Sequence, residues 1–167
     1  MSDSTSSNVQ PIPRSAHDRA ADSRASGLRA IALSALIVAV VAGAVNAGVA
    51  AAAVALGAEP TGPLMPLAYL TLTVVGAIGA AVGWFLIVRR SQRPALTLRR
   101  LVPSVLVLSW IPDIVLGFIV NTADGWLTVA ALMVMHVATV AVAVGAYSWM
   151  MPPAPSTGTG SLDARER

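Results

Sequence analysis

The sequence predicts an all-α polytopic membrane protein, with four transmembrane helices arranged as two antiparallel hairpins. Three observations carry this. The chain is too apolar for water: 56% of its 167 residues are hydrophobic, only 11% are charged, and the mean hydropathy is +0.72. Ordinary soluble domains are about a quarter charged, and a small protein has to show mostly surface, so this one could not cover itself with polar groups. Four apolar stretches each reach the ~20 residues that a helix needs to cross a ~30 Å hydrocarbon core. Strand-type alternation is absent and four spans cannot close a barrel, which leaves helices as the backbone structure able to satisfy its own hydrogen bonds in lipid.

In chain order, residues 1–29 are Ser-rich, then Pro-containing, then interspersed with Arg14, Arg19, Arg24 and Arg29. No apolar residue recurs often enough there to build a core, so this segment is expected to be a disordered tail, with room for a short helix just before the membrane. The transmembrane domain is expected over residues 30–151, with spans at about 30–57, 64–88, 101–120 and 127–151. The first carries no ionisable residue and the second no charge, the third contains Asp113 and the fourth His136. The first span is too long for the ~7–15-residue apolar region of a signal peptide and is expected to stay uncleaved. The connections AEPTGP (58–63) and NTADGW (121–126) are short and rich in breakers, so each joins antiparallel neighbours. RRSQRPALTLRR (89–100) links the two hairpins, with Pro66 and Pro103 placed in the first turns of spans two and three. Residues 152–167, Pro-rich and then small and polar, form a second expected tail.

All 11 basic residues are arginine, and their positions predict orientation. Four lie in the first tail, Arg89, Arg90, Arg93, Arg99 and Arg100 in the central loop, and Arg165 and Arg167 in the last tail; the two short connections carry Glu59 and Asp124 instead. Positive charge in short loops stays on the cytoplasmic side, so both termini and the central loop are expected inside a cell membrane. The basic pI of about 10.6 is therefore a topology signal and not a nucleic-acid patch. The central-loop arginines are also suited to anionic lipid headgroups. Trp126, Trp149 and Tyr147, with Trp84 and Phe85, are placed where an interfacial aromatic belt would lie.

Within the spans, four polar side chains form the candidate site: Asn46, Ser109, Asp113 and His136. At ~1.5 Å per residue, Asn46, Asp113 and His136 lie roughly 16, 10 and 13 Å below one boundary, close enough to share a layer. Asp113 follows Ser109 and precedes Gly117 at four-residue spacing; His136 shares a face with Thr139; Asn46 lies on a stripe of Ala35, Ala39, Ala42, Gly43, Ala50 and Ala53. Small residues permit close helix approach. Gly79 and Gly83 form a GxxxG pattern, read here as ordinary packing. Pro112 frees the Leu108 carbonyl beside Asp113, either as a packing kink or as a hinge. An intramembrane carboxylate costs at least ~2.5 kcal/mol on insertion scales and marks a functional candidate. The Asp113/His136 couple is either a structural hydrogen bond pinning spans three and four or a proton site.

The chain lacks cysteine and carries no HExxH, GxSxG or P-loop motif. Catalytic, metal-binding and cofactor-binding residues are expected to be none, and the protein is not expected to be an enzyme. Asn46 in an Ala/Gly-rich first span, Gly83-Trp84 closing the second, a basic loop, Ser109-Trp110-Ile111-Pro112-Asp113 in the third and Met135-His136 in the fourth together resemble an uncharacterised family of actinobacterial four-helix membrane proteins, a domain of unknown function. The likeness covers about residues 28–151. It implies a bacterial cell membrane and four spans, and supplies no activity. The expected role is structural or accessory, acting through a membrane-protein partner; the alternative is a small proton-coupled transporter built on Asp113 and His136.

Overall fold

The structure is a computed structural model that describes residues 16–153, with side chains from residue 25 onward. Four helices follow one another: α1 (Ala16–Ala55), α2 (Pro66–Arg90), α3 (Pro94–Val120) and α4 (Ala123–Met150), with a 3₁₀ turn at Gly62–Leu64 before α2. All four are long and apolar enough to cross a membrane, and no strand occurs among the described residues. The molecule is thus an all-α, four-helix fold of multi-pass membrane type. α1 packs mainly on α4 and α2, whereas α3 leans chiefly on α4.

Helix boundaries reach beyond the apolar runs, and the reasons are local. α1 begins at Ala16, inside the segment expected to be a tail; residues 1–15 and 154–167 of the two expected tails lie outside the described residues. Ala16, Ala20, Ala21 and the arginines among them are good helix formers, and extending an existing membrane helix avoids the cost of nucleation. α3 begins at Pro94, not near residue 101, so the central connection contracts to Ser91–Arg93. Proline at the first helical position lacks only an N–H that no helix would use. Leu98 then finds a buried place, and Arg99 and Arg100 stay exposed. Pro103 consequently sits inside α3 rather than in its first turn, and helix continues through both Pro103 and Pro112.

The turn between α3 and α4 is equally tight. Asn121 caps α3 in the left-handed region (φ 48°), donating its N–H to the Gly117 carbonyl at 2.8 Å. Thr122 caps α4, its hydroxyl accepting from the Gly125 N–H at 3.3 Å. A Cβ on Gly125 would lie 2.7 Å from Val120 Cγ1, and one on Gly117 2.8 Å from the Trp126 ring. Both glycines are there for close approach.

The bundle is built with small residues inside and large ones outside. Leu67, Leu72, Phe118 and Ile119 are at least 70% exposed, while Ala42, Ala77 and Ala81 are buried to 1% or less. Lipid is as apolar as leucine, so close van der Waals packing rather than hydrophobic burial holds such helices together. Two apolar clusters result. One, at the end bearing the Ser91–Arg93 turn, joins Val38, Ala42, Ala81, Trp84 and Tyr147. The other, at the opposite end, joins Ala50, Leu64, Tyr69, Leu132 and Met135. Trp84 and Tyr147 are therefore not belt residues. Tyr147 is 1% exposed and donates its hydroxyl to the Ala77 carbonyl at 2.6 Å; the Trp84 indole N–H donates to the Met151 carbonyl at 2.9 Å. Both rings tie α4 to α2, because a buried ring with a polar tip needs a partner for that tip. Trp149, by contrast, is 81% exposed.

Candidate functional site

Between the two clusters lies a polar layer. On each helix the register fits: Asn46 falls between Ala42 and Ala50, Thr73 between Ala77 and Tyr69, Thr139 between Ala143 and Met135. Asn46 is 3% exposed. Its Nδ2 donates to Thr73 Oγ1 at 3.0 Å and to Thr139 Oγ1 at 3.1 Å, so one amide joins α1, α2 and α4. The amide's orientation follows from its neighbours. Thr73 spends its single proton on the Tyr69 carbonyl at 2.7 Å and can only accept from Asn46, so nitrogen must face it. Asn46 Oδ1 is left as a buried acceptor with no hydrogen-bond partner among the described residues.

One turn towards the Tyr69 end, α3 and α4 bring Asp113 and His136 together. His136 Nδ1 lies 3.2 Å from Asp113 Oδ2, yet the same nitrogen is 2.9 Å from the Leu132 carbonyl of its own helix. Proximity and hydrogen bonding diverge here: Asp113 Oδ2 makes no hydrogen bond among the described residues. A carbonyl can only accept, so the Nδ1 proton belongs to Leu132, and the carboxylate sits beside the ring rather than at the end of its N–H. In the neutral ring this contact places the proton on Nδ1.

Asn46, Ser109, His136, Thr73 and Thr139 all border one cleft of about 300 Å³, whose lining runs from Pro63 in the α1–α2 connection to Gly76 in mid-helix. Its remaining walls include Leu72, Leu132 and Met135. Ser109 turns its hydroxyl back to the Leu106 carbonyl at 2.7 Å. Asp113 is 8% exposed and stands behind His136 rather than in the lining. The structure thus gathers Asn46, Ser109 and His136 on the cleft and reaches Asp113 through the imidazole. A mostly apolar cleft with a few convergent polar groups is the usual form of a small-molecule site. Two buried acceptors, Asn46 Oδ1 and Asp113 Oδ2, carry the unmet hydrogen-bonding demand of this region, together with the buried Trp110 indole N–H one turn before Asp113.

Thr73 and Tyr69 were not singled out in the sequence, although they hold the amide in place. The available signal was the spacing Tyr69, Thr73, Ala77, Ala81, a four-residue stripe that marks the buried face of α2. Among the described residues no group of three or more His, Cys, Asp or Glu side chains could hold a metal. No protein-family model, no curated protein and no solved structure matches this chain.

Proposed function

We propose that this chain is a multi-pass protein of the cell membrane that binds a small molecule in the cleft headed by Asn46 and couples binding to protonation of the Asp113/His136 couple, as a small proton-coupled transporter. The observation that carries the reading is that Asn46, whose buried Oδ1 has no partner among the described residues, lines a cleft that also has His136 in its wall. A purely structural amide would satisfy both of its ends, since a buried acceptor without a partner costs about 1–3 kcal/mol. A ligand bringing an N–H or O–H donor would meet that acceptor. Protonation of His136 at Nε2 would place a positive charge at the cleft wall, balanced by Asp113. The proposal assigns a binding role and no chemistry on the ligand. It includes both termini on the cytoplasmic side, the five central arginines at anionic headgroups, and kinship with the actinobacterial family named above.

The test is proton flux. Liposomes containing the purified full chain and an enclosed pH-sensitive dye are given an inward proton gradient. The expected result is acidification faster than in protein-free vesicles, falling at least tenfold in Asp113→Asn and His136→Gln with helicity unchanged. Flux equal to empty vesicles, or equal in wild type and Asp113→Asn, would refute the transporter.

A second reading has its own observation. Asn46 joins three helices through two hydrogen bonds, which suits a structural or accessory protein whose polar layer sets helix register. On that reading the Asp113→Asn, His136→Gln double variant keeps both fold and physiological role.

A further inference from the structure

A second concavity meets the polar cleft at Gly76 and extends from it into the half of the bundle nearer the Ser91–Arg93 turn. It is a groove of about 450 Å³ between α2 and α3, with α4 behind it. Gly76, Gly79 and Gly83 form its α2 side, Leu98 and Val102 its α3 side, and Val144 stands at its back. The three glycines do not serve helix packing: a Cβ built on any of them would meet no atom within 4 Å. The GxxxG pattern read as ordinary packing is thus a wall held open. The groove offers no hydrogen bond either, because the polar tips of Trp84 and Tyr147, which border it, are already spent on the Met151 and Ala77 carbonyls. It asks only for hydrocarbon.

At its end, charge takes over. Ile87 and Leu98 line the groove; Arg90 ends α2, Arg93 lies in the turn, and Arg99 and Arg100 follow Leu98 on α3, all exposed, with no acidic residue between Leu86 and Val105. Arg89 is turned aside, its guanidinium 4.9 Å above the Phe85 ring. An apolar slot in the depth of the membrane, topped by guanidinium groups that make no ion pair among the described residues, is complementary to one kind of occupant. We infer that this groove binds an anionic phospholipid, with one acyl chain along Gly76, Gly79 and Gly83 and the phosphate on Arg90 and Arg93. At ~30 Å³ per methylene, the share of one water molecule in the liquid, the groove takes on the order of 15 methylene groups. A second copy of the chain is a poorer fit. The glycine face is one wall of a slot between two helices, and a helix of ~10 Å diameter needs an open face. Guanidinium pairs well with phosphate, and basic residues beside a membrane draw anionic lipid.

Trp84 borders the groove and can report its occupant. The full chain with Trp110, Trp126 and Trp149 changed to Phe keeps Trp84 as its only indole. It is reconstituted in phosphatidylcholine vesicles holding a small fraction of phosphatidylglycerol, with bromine on the acyl chains of one lipid or the other. Brominated phosphatidylglycerol should quench Trp84 several-fold more than its mole fraction predicts. Arg90→Gln with Arg93→Gln should reduce that preference to about one, and Gly79→Leu should lower quenching by both lipids. Native mass spectrometry of wild type and Gly79→Leu, with all tryptophans present, provides a second measurement: one phosphatidylglycerol should remain on wild type and leave the variant. Quenching in proportion to mole fraction, indifference to Gly79→Leu, or cross-linking of two copies through the glycine face with Trp84 unquenched would each overturn the inference.

Discussion

Replacing Asn46 with alanine tests whether its amide is there for stability or for something else. The substitution removes the bonds to Thr73 (3.0 Å) and Thr139 (3.1 Å). Interhelical hydrogen bonds in membranes average about 0.6 kcal/mol, with a maximum near 1.7, so the loss is about 1.2 kcal/mol and at most about 3.4. Against this, the buried Oδ1 with no partner disappears, and relieving such an acceptor returns about 1–3 kcal/mol. Thr73 is not stranded, since it still donates to Tyr69, while Thr139 loses its bond from Asn46. The two effects largely cancel, and Asn46→Ala should change stability by less than about 2.5 kcal/mol in either direction. The bond itself remains measurable by pairing Asn46→Ala with Thr139→Val in a double-mutant cycle, where a coupling of about 0.6 kcal/mol is expected. The assay is reversible unfolding in mixed detergent–lipid micelles, followed by circular dichroism. A loss above about 3 kcal/mol for the single variant would mean that Oδ1 is satisfied and the amide is structural. Zero coupling would mean that the Asn46–Thr139 bond is not made.

Three further outcomes follow from the fold. Tyr147→Phe removes one hydroxyl at 2.6 Å from the Ala77 carbonyl without changing ring volume, and should cost about 0.6–1.7 kcal/mol in the same assay, whereas Trp149→Phe on the exposed surface should cost nothing measurable. Gly125→Ala forces a Cβ to within 2.7 Å of Val120 and should destabilise by about 1–3 kcal/mol, while Gly145→Ala, which meets nothing within 4 Å, should be neutral or stabilise by about 0.5–1 kcal/mol; matching thermal melts for the two would contradict the tight α3–α4 turn. A phosphatase active only outside the cytoplasm should be silent when fused after Arg167 and active when inserted at Glu59; a strong signal from the first fusion would reverse the proposed topology.

Much of the architecture follows from composition and periodicity alone. Four helical spans were dictated by the length of the apolar runs, since lipid leaves an uncharged stretch of that length no other way to satisfy its backbone. The small-residue stripe was readable as a buried face at Ala35 and Ala42, where Leu33, Ile37 and Val41 occupy other sides of α1; around Ala50 and Ala53 the helix is Ala-rich all round, and only the packing shows which alanines are buried. The proximity of Asp113 and His136 was suggested by depth, for antiparallel neighbours at matching depth have few ways to avoid each other. What depth does not encode is direction. Whether the His136 N–H serves Asp113 or its own helix depends on a rotation that only the packed helices set, and the Leu132 carbonyl takes it. Helix ends also escaped the reading, because an apolar run measures the hydrocarbon and not the helix: α3 carries Arg99 and Arg100 in its early turns and α1 begins fourteen residues before its span. Trp84 and Tyr147 have the residue type and depth of belt aromatics, and only the contact between α2 and α4 shows that their polar tips face inward to carbonyls. The glycines of α2 illustrate the same limit. A GxxxG pattern states that a helix face is narrow; whether another helix fills it or the space stays open is decided by where α3 stands, and α3 stands away from it.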